Sequence, residues 1–139
     1  MKRPLLVSLL VVAASLSEGA RWTQKKTDVP RARISIYLVA PGRQLDFLRY
    51  WAAQEEVAKE AGVAPVQLYA HVEGDRWDYL LVRPITTPDQ DARMDEIAER
   101  KGLKTGVPAS LEFRALVASH TDTLVAGPTS PAAMVKAAQ

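Results

Sequence analysis

Val66-Gln67-Leu68-Tyr69-Ala70-His71-Val72-Glu73-Gly74-Asp75-Arg76-Trp77-Asp78-Tyr79-Leu80-Leu81-Val82-Arg83 is the stretch that decides the fold. Val66, Leu68, Ala70 and Val72 alternate with Gln67, Tyr69, His71 and Glu73, the period-2 pattern of a strand with two different faces. Gly74-Asp75 is a turn signal, and Trp77 to Arg83 is again rich in aromatic and branched residues. Two such runs about a turn predict an antiparallel hairpin.

On its N-terminal side, Arg43 to Ala61 has the 3.6-residue period of a helix. Phe47, Leu48, Trp51, Ala58 and Ala61 gather on one side, opposite Arg49, Glu56 and Glu60. Gly62 suits a left-handed exit and Pro65 blocks continuation. Gln54 falls inside the apolar stripe. Before this helix, Ile34, Ile36 and Leu38 alternate with Ser35, Tyr37 and Val39, a short strand that Pro41-Gly42 ends. After the hairpin, Thr87-Pro88-Asp89-Gln90 places a capping residue, a first-turn proline and a capping-box glutamine ahead of Met94, Ile97 and Ala98. Pro108 to Ser119 fits helix or strand, and a second short helix is the preferred reading. Thr121 to Ala126 reads as the last strand, and Ala132 to Gln139 as a weakly helical tail.

The order strand, helix, strand, strand, helix, strand, with right-handed crossovers, predicts an α+β fold. It is a ferredoxin-like βαββαβ unit, a four-stranded antiparallel sheet with helices on one face. Both faces of that sheet carry large side chains. Ile34, Ile36, Leu38, Leu68 and Val72 are assigned to one face, and Tyr37, Val39 and Tyr69, with Tyr79 or Leu80, to the other. A bare face of this kind exceeds what a monomer ordinarily exposes. Pairing of two copies through the face bearing Tyr37, Tyr69 and His71 is therefore expected, since a two-fold contact uses one patch twice.

Lys2 and Arg3 precede an apolar run from Leu5 to Leu16, followed by Ser17, Gly19 and Ala20. This is the layout of a secretory signal, and the run is well short of the ~20 residues of a membrane-spanning helix. The organisation expected is a signal peptide over 1–20, a basic linker over 21–33, a folded domain over 34–128 and a tail over 129–139. The chain is then exported, to the periplasm or medium, with no stable membrane anchor after cleavage. The whole chain carries 18 Lys+Arg and 16 Asp+Glu. Loss of Lys2, Arg3 and Glu18 with the signal leaves a net charge of +1, which provides no electrostatic footprint for nucleic acid. The chain has no cysteine, so disulfides, thiol catalysis and zinc held by sulfur are excluded.

No motif names a reaction or a cofactor. The Gly-rich phosphate loops, the Gly-x-Ser-x-Gly elbow and the paired-histidine zinc helix are all absent. His120-Thr121-Asp122-Thr123 is the main polar cluster. On a strand His120 and Asp122 point the same way and can share a hydrogen bond, while a capped helix end explains the same residues. No metal site is expected, because two ligands are fewer than a catalytic zinc uses. His71 beside Tyr69, with Tyr37 on a neighbouring strand, forms a polar-aromatic wall suited to a planar ligand or to acid–base work, or else an interface histidine. Gln54 is placed to orient a carbonyl or to satisfy a strand end, and Trp51 is core or pocket wall. The candidate set is therefore His120, Asp122 and His71 for chemistry, and Tyr37, Tyr69, Gln54 and Trp51 for a ligand.

From about Ile34 to Pro128 the chain resembles the dimeric α+β barrel superfamily. The likeness rests on Ile34-Ser35-Ile36-Tyr37-Leu38-Val39, the Trp51-bearing helix and Trp77-Asp78-Tyr79-Leu80-Leu81-Val82 after its Gly-Asp turn. The resemblance implies a homodimer in which two sheets close a barrel, with a pocket between sheet and helices in each subunit. It implies a small organic ligand in that pocket; the export signal marks this chain as an uncharacterised exported member, a departure from a family whose members mostly act inside the cell. Alternatively, the resemblance implies a small monooxygenase-like or haem-binding or haem-degrading enzyme of the same superfamily.

Overall fold

The computed structural model of the protein describes residues 29–139. The expected signal peptide and most of the expected linker lie outside the described residues. Strand β1 (Arg31–Val39) leads through Pro41-Gly42 into helix α1 (Gln44–Glu60). The hairpin strands β2 (Gln67–Ala70) and β3 (Tyr79–Pro84) follow, then helices α2 (Pro88–Arg100) and α3 (Gly106–Arg114). Strand β4 (Val117–Ala126) and a terminal helix α4 (Pro131–Ala137) complete the order. The sheet runs β2-β3-β1-β4 with each neighbouring pair antiparallel, which is the ferredoxin-like layout.

Local chemistry sets the element ends. Gly62, at φ +73°, turns the chain out of α1 in a conformation other residues avoid. At the start of α2 the Thr87 hydroxyl accepts from Gln90 N–H while the Gln90 side chain accepts from Thr87 N–H, the reciprocal cap anticipated from the sequence.

Several boundaries differ from the reading of the sequence. β1 begins at Arg31, so Arg31 to Arg33 are strand residues rather than linker, and Arg33 pairs with both Arg83 and Leu124. Long arginine stems can line the end of a sheet while their heads stay in water. β2 stops at Ala70, and Val72 is 95% exposed in the loop that follows. The ambiguous stretch divides: its first part is α3, and its last part, from Val117, already belongs to β4.

Helices cover one face of the sheet. Tyr37, Val39 and Leu81 on that face pack against Phe47 of α1 and Leu116, with Trp51 and Phe113 joining them. A second cluster, Val57, Ala61, Ile97 and Ala98, fastens α1 to α2.

The face assignments require one correction. Tyr37 pairs with Tyr79, and Tyr79 with Ala70, whereas Ile36 pairs with Leu80, and Leu80 with Tyr69. Directly paired residues share a face. Tyr37 therefore points under the helices and is 2% exposed, while Tyr69 points out on the opposite side and is 53% exposed. Leu68, paired with Leu81, is likewise on the helix side. The outward face consists of Ile34, Ile36, Leu38, Leu80, Val82 and Tyr69, bordered by Thr121 and Thr123 of β4. Alternation along β2 is real, but its parity relative to β1 depends on the register of two pairings, and the sequence reading placed it one residue off.

Candidate functional site

The strongest polar arrangement lies where β1, β3 and β4 run side by side beneath α1. Ser35 is fully buried, and it pairs directly with Asp122 on β4. Its hydroxyl donates to Asp122 Oδ1 at 2.6 Å and accepts from Arg83 Nη2 at 3.1 Å. The other Asp122 oxygen lies 3.6 Å from Arg33 Nη1. A serine in an apolar strand is thus the joint of an Arg83–Ser35–Asp122–Arg33 chain spanning three strands. Asp122→Ala removes the acceptor of a buried hydroxyl and is expected to lower stability by about 1–3 kcal/mol. Urea denaturation of the variant beside the parent protein checks this, and an unchanged midpoint would show that the chain contributes nothing.

The Arg83 guanidinium lies over the Trp51 indole, with Cζ 5.1 Å from the ring centroid, a cation–π contact. Between this pair, the ends of β1 and β3 and the first turns of α2 is a cavity of about 450 Å³. Arg33, Trp51, Gln54, Val66, Arg83 and Met94 are among its walls. Two donors at that wall are shielded from solvent and unpaired: Trp51 Nε1–H and Arg83 Nε–H. Orphaned buried donors are rare, and each costs about 1–3 kcal/mol. Tyr50 also borders the cavity, and burial, with the Glu112 carboxylate and Tyr37 adding to it, pushes its hydroxyl above the ordinary tyrosine value. It therefore stays protonated at neutral pH.

The sequence candidates are divided by the fold. Trp51 and Gln54 line the cavity. Tyr37 lies in the core, stacked on His120 at 5.7 Å between ring centroids and edge-on to Phe47 at 5.2 Å. Burial raises its pKa too, offset in part by the Ser35 hydrogen bond. Tyr69 is on the outward face, its hydroxyl donating to Gln67 Oε1 at 3.2 Å. His120 and Asp122 do share the helix-side face, but each has another neighbour: His120 has Tyr37 and Phe113, and Asp122 has Ser35 and Arg33. His71 lies beyond the end of β2 against Trp77, 4.7 Å between ring centroids. With β3 and β1 between β2 and β4, His71 and His120 do not converge. Neither histidine lines the cavity, and among the described residues no group of three or more His, Cys, Asp or Glu could hold a metal ion.

The sequence reading passed over Arg83, Arg33 and Ser35. One signal was available: Ser35 stands two residues from Tyr37 on the face that a strand buries, where an unpaired hydroxyl is costly.

No family model matches the chain, and no curated protein is significantly similar. Among solved structures it is similar to a variant of SnoaB, a cofactor-independent oxygenase from Streptomyces nogalater. The identity is 17% over 73% of this chain and 95% of that one, with a TM-score of 0.48. A protein from Arabidopsis thaliana is 9% identical over 73% of this chain and 97% of its own, TM-score 0.49. A dimeric protein of unknown function and ferredoxin-like fold from Bacteroides fragilis is 12% identical over 70% and 95%, TM-score 0.41. The ferredoxin-like assignment stands on the strand order itself.

Proposed function

We propose that this chain is an exported protein that closes an α+β barrel with a second copy and binds a small organic molecule between sheet and helices. The cavity beside Trp51 is the observation that carries the binding role. At about 450 Å³ it falls in the range of ligand pockets, and it combines apolar walls with a few converging polar groups. Arg83 is held at its wall by Trp51 on one side and Ser35 on the other.

A thermal-shift series with neutral, anionic and cationic naphthalene derivatives tests this reading. A molecule that binds the folded state raises the melting temperature by linkage. Ala64, exposed and at the cavity wall, offers the control, since Ala64→Trp fills the space without entering the core. At least one derivative is expected to stabilise the parent protein and to lose that effect in A64W. Equal shifts in both proteins, or none in either, would dispose of the pocket.

Pairing rests on the outward face, which no described element covers. A second copy covers the apolar centre of that face and leaves the threonines of β4 at the rim. Export rests on residues 1–20 alone, and among the described residues no helix is long and apolar enough to cross a membrane. Intact-mass analysis of protein recovered outside the cytoplasm is expected to show the loss of about twenty residues, as the signal layout implies. Full-length protein confined to the cytosol would contradict it.

A further inference from the structure

We infer that the molecule held in the Trp51 cavity carries a carboxylate, which Arg83 and Trp51 bind. The inference rests on the pocket reading above and narrows it to one chemical class. The charges around the cavity are unequally engaged. Arg33 has a carboxylate partner in Asp122. Arg83 has none within ion-pair distance among the described residues; its Nη2 donates to the neutral Ser35 hydroxyl and its Nε–H has no acceptor. The carboxylate on the cavity lining, Asp91, accepts from the Thr86 hydroxyl at 2.6 Å and reaches neither arginine. The lining therefore presents one half-buried guanidinium with no direct carboxylate partner, since Asp122 reaches it only through the Ser35 hydroxyl.

The geometry around that guanidinium selects the anion. Its planar fork matches the two oxygens of a carboxylate, and its position over Trp51 and its bond to Ser35 hold the group at the wall. The Trp51 Nε1–H, also without an acceptor, adds a neutral donor at the same wall. A phosphate dianion calls for a second free cation, and Arg33 is already paired. Ala58, Val66 and Met94 supply apolar wall for the body of the ligand. Both unpaired nitrogens are shielded from water, so seating an acceptor involves the side-chain adjustment common at binding sites. The resulting bond to Arg83 is charge-assisted and roughly twice as strong as a neutral one.

The test compares naphthalene-2-carboxylate with its neutral near-isostere naphthalene-2-carboxamide by calorimetric titration of the whole protein. The carboxylate is expected to bind at least ~10-fold more tightly, as a charge-assisted pair implies. Arg83→Gln is expected to abolish that preference, and Ala64→Trp to block both molecules. Equal affinity of the two for the parent protein would overturn the carboxylate inference while leaving the pocket reading intact. Failure of both to bind would overturn the two together. The parent comparison needs no variant, so the inference stays falsifiable even where R83Q does not fold.

Discussion

Phe47→Ala is expected to destabilise the protein by about 3–5 kcal/mol, the usual cost of emptying an aromatic site in a core. Phe47 has no exposed surface and stands where α1 meets the sheet. Its ring is stacked on Tyr79 at 5.2 Å and edge-on to Tyr37 at the same distance, with Trp51 at 6.4 Å and Phe113 at 6.3 Å. Alanine there removes one member from each of these aromatic pairs, and the rigid strand below has little freedom to close the void. A loss of this size takes a large share of the roughly 5–15 kcal/mol that holds a domain folded. Urea denaturation at fixed protein concentration measures it, because the proposed pairing would couple stability to concentration. A change below about 1 kcal/mol, small for any core truncation, would mean that the aromatic cluster does not anchor α1.

Ile36→Glu is expected to dissociate the proposed dimer. Ile36 is in the central strand β1, in the middle of the outward face, with Leu80 and Thr121 as its cross-strand partners. At 37% exposure it tolerates a charge in the isolated subunit. Two-fold pairing would instead bury one carboxylate from each copy in an apolar interface, and unpaired buried charge is heavily penalised. Tyr69→Glu, on the edge strand, is expected to weaken association less. Sedimentation velocity of the parent, I36E and Y69E proteins separates the cases. A parent protein that sediments as a folded monomer at micromolar concentration would rule out the barrel.

The elements of this fold were legible in the sequence because they are written at short range. Periodicity along α1, alternation along β1 and the hairpin, and the Thr87–Gln90 cap each depend on residues a few positions apart, and each element forms in the expected order, with strand ends displaced by a few residues. Strand-plus-helix order then left the split βαβ layout as the natural topology. Which side of each strand meets the helices was decided elsewhere. Alternation shows that two faces exist, but only the register across β1, β3 and β2 shows that Tyr37 goes inside while Tyr69 stays outside. The site was decided at the same level. Ser35 and Asp122 are 87 positions apart, and Ser35 and Arg83 are 48 apart, so no local pattern links them. Gln54 could be recognised as unusual on its helix and Trp51 as core or pocket wall, but Arg83, the partner of Trp51, comes from a strand that only the folded sheet brings beneath it. Side-chain chemistry is carried by the sequence, whereas the arrangement that leaves Arg83 without a direct carboxylate partner is a product of strand pairing.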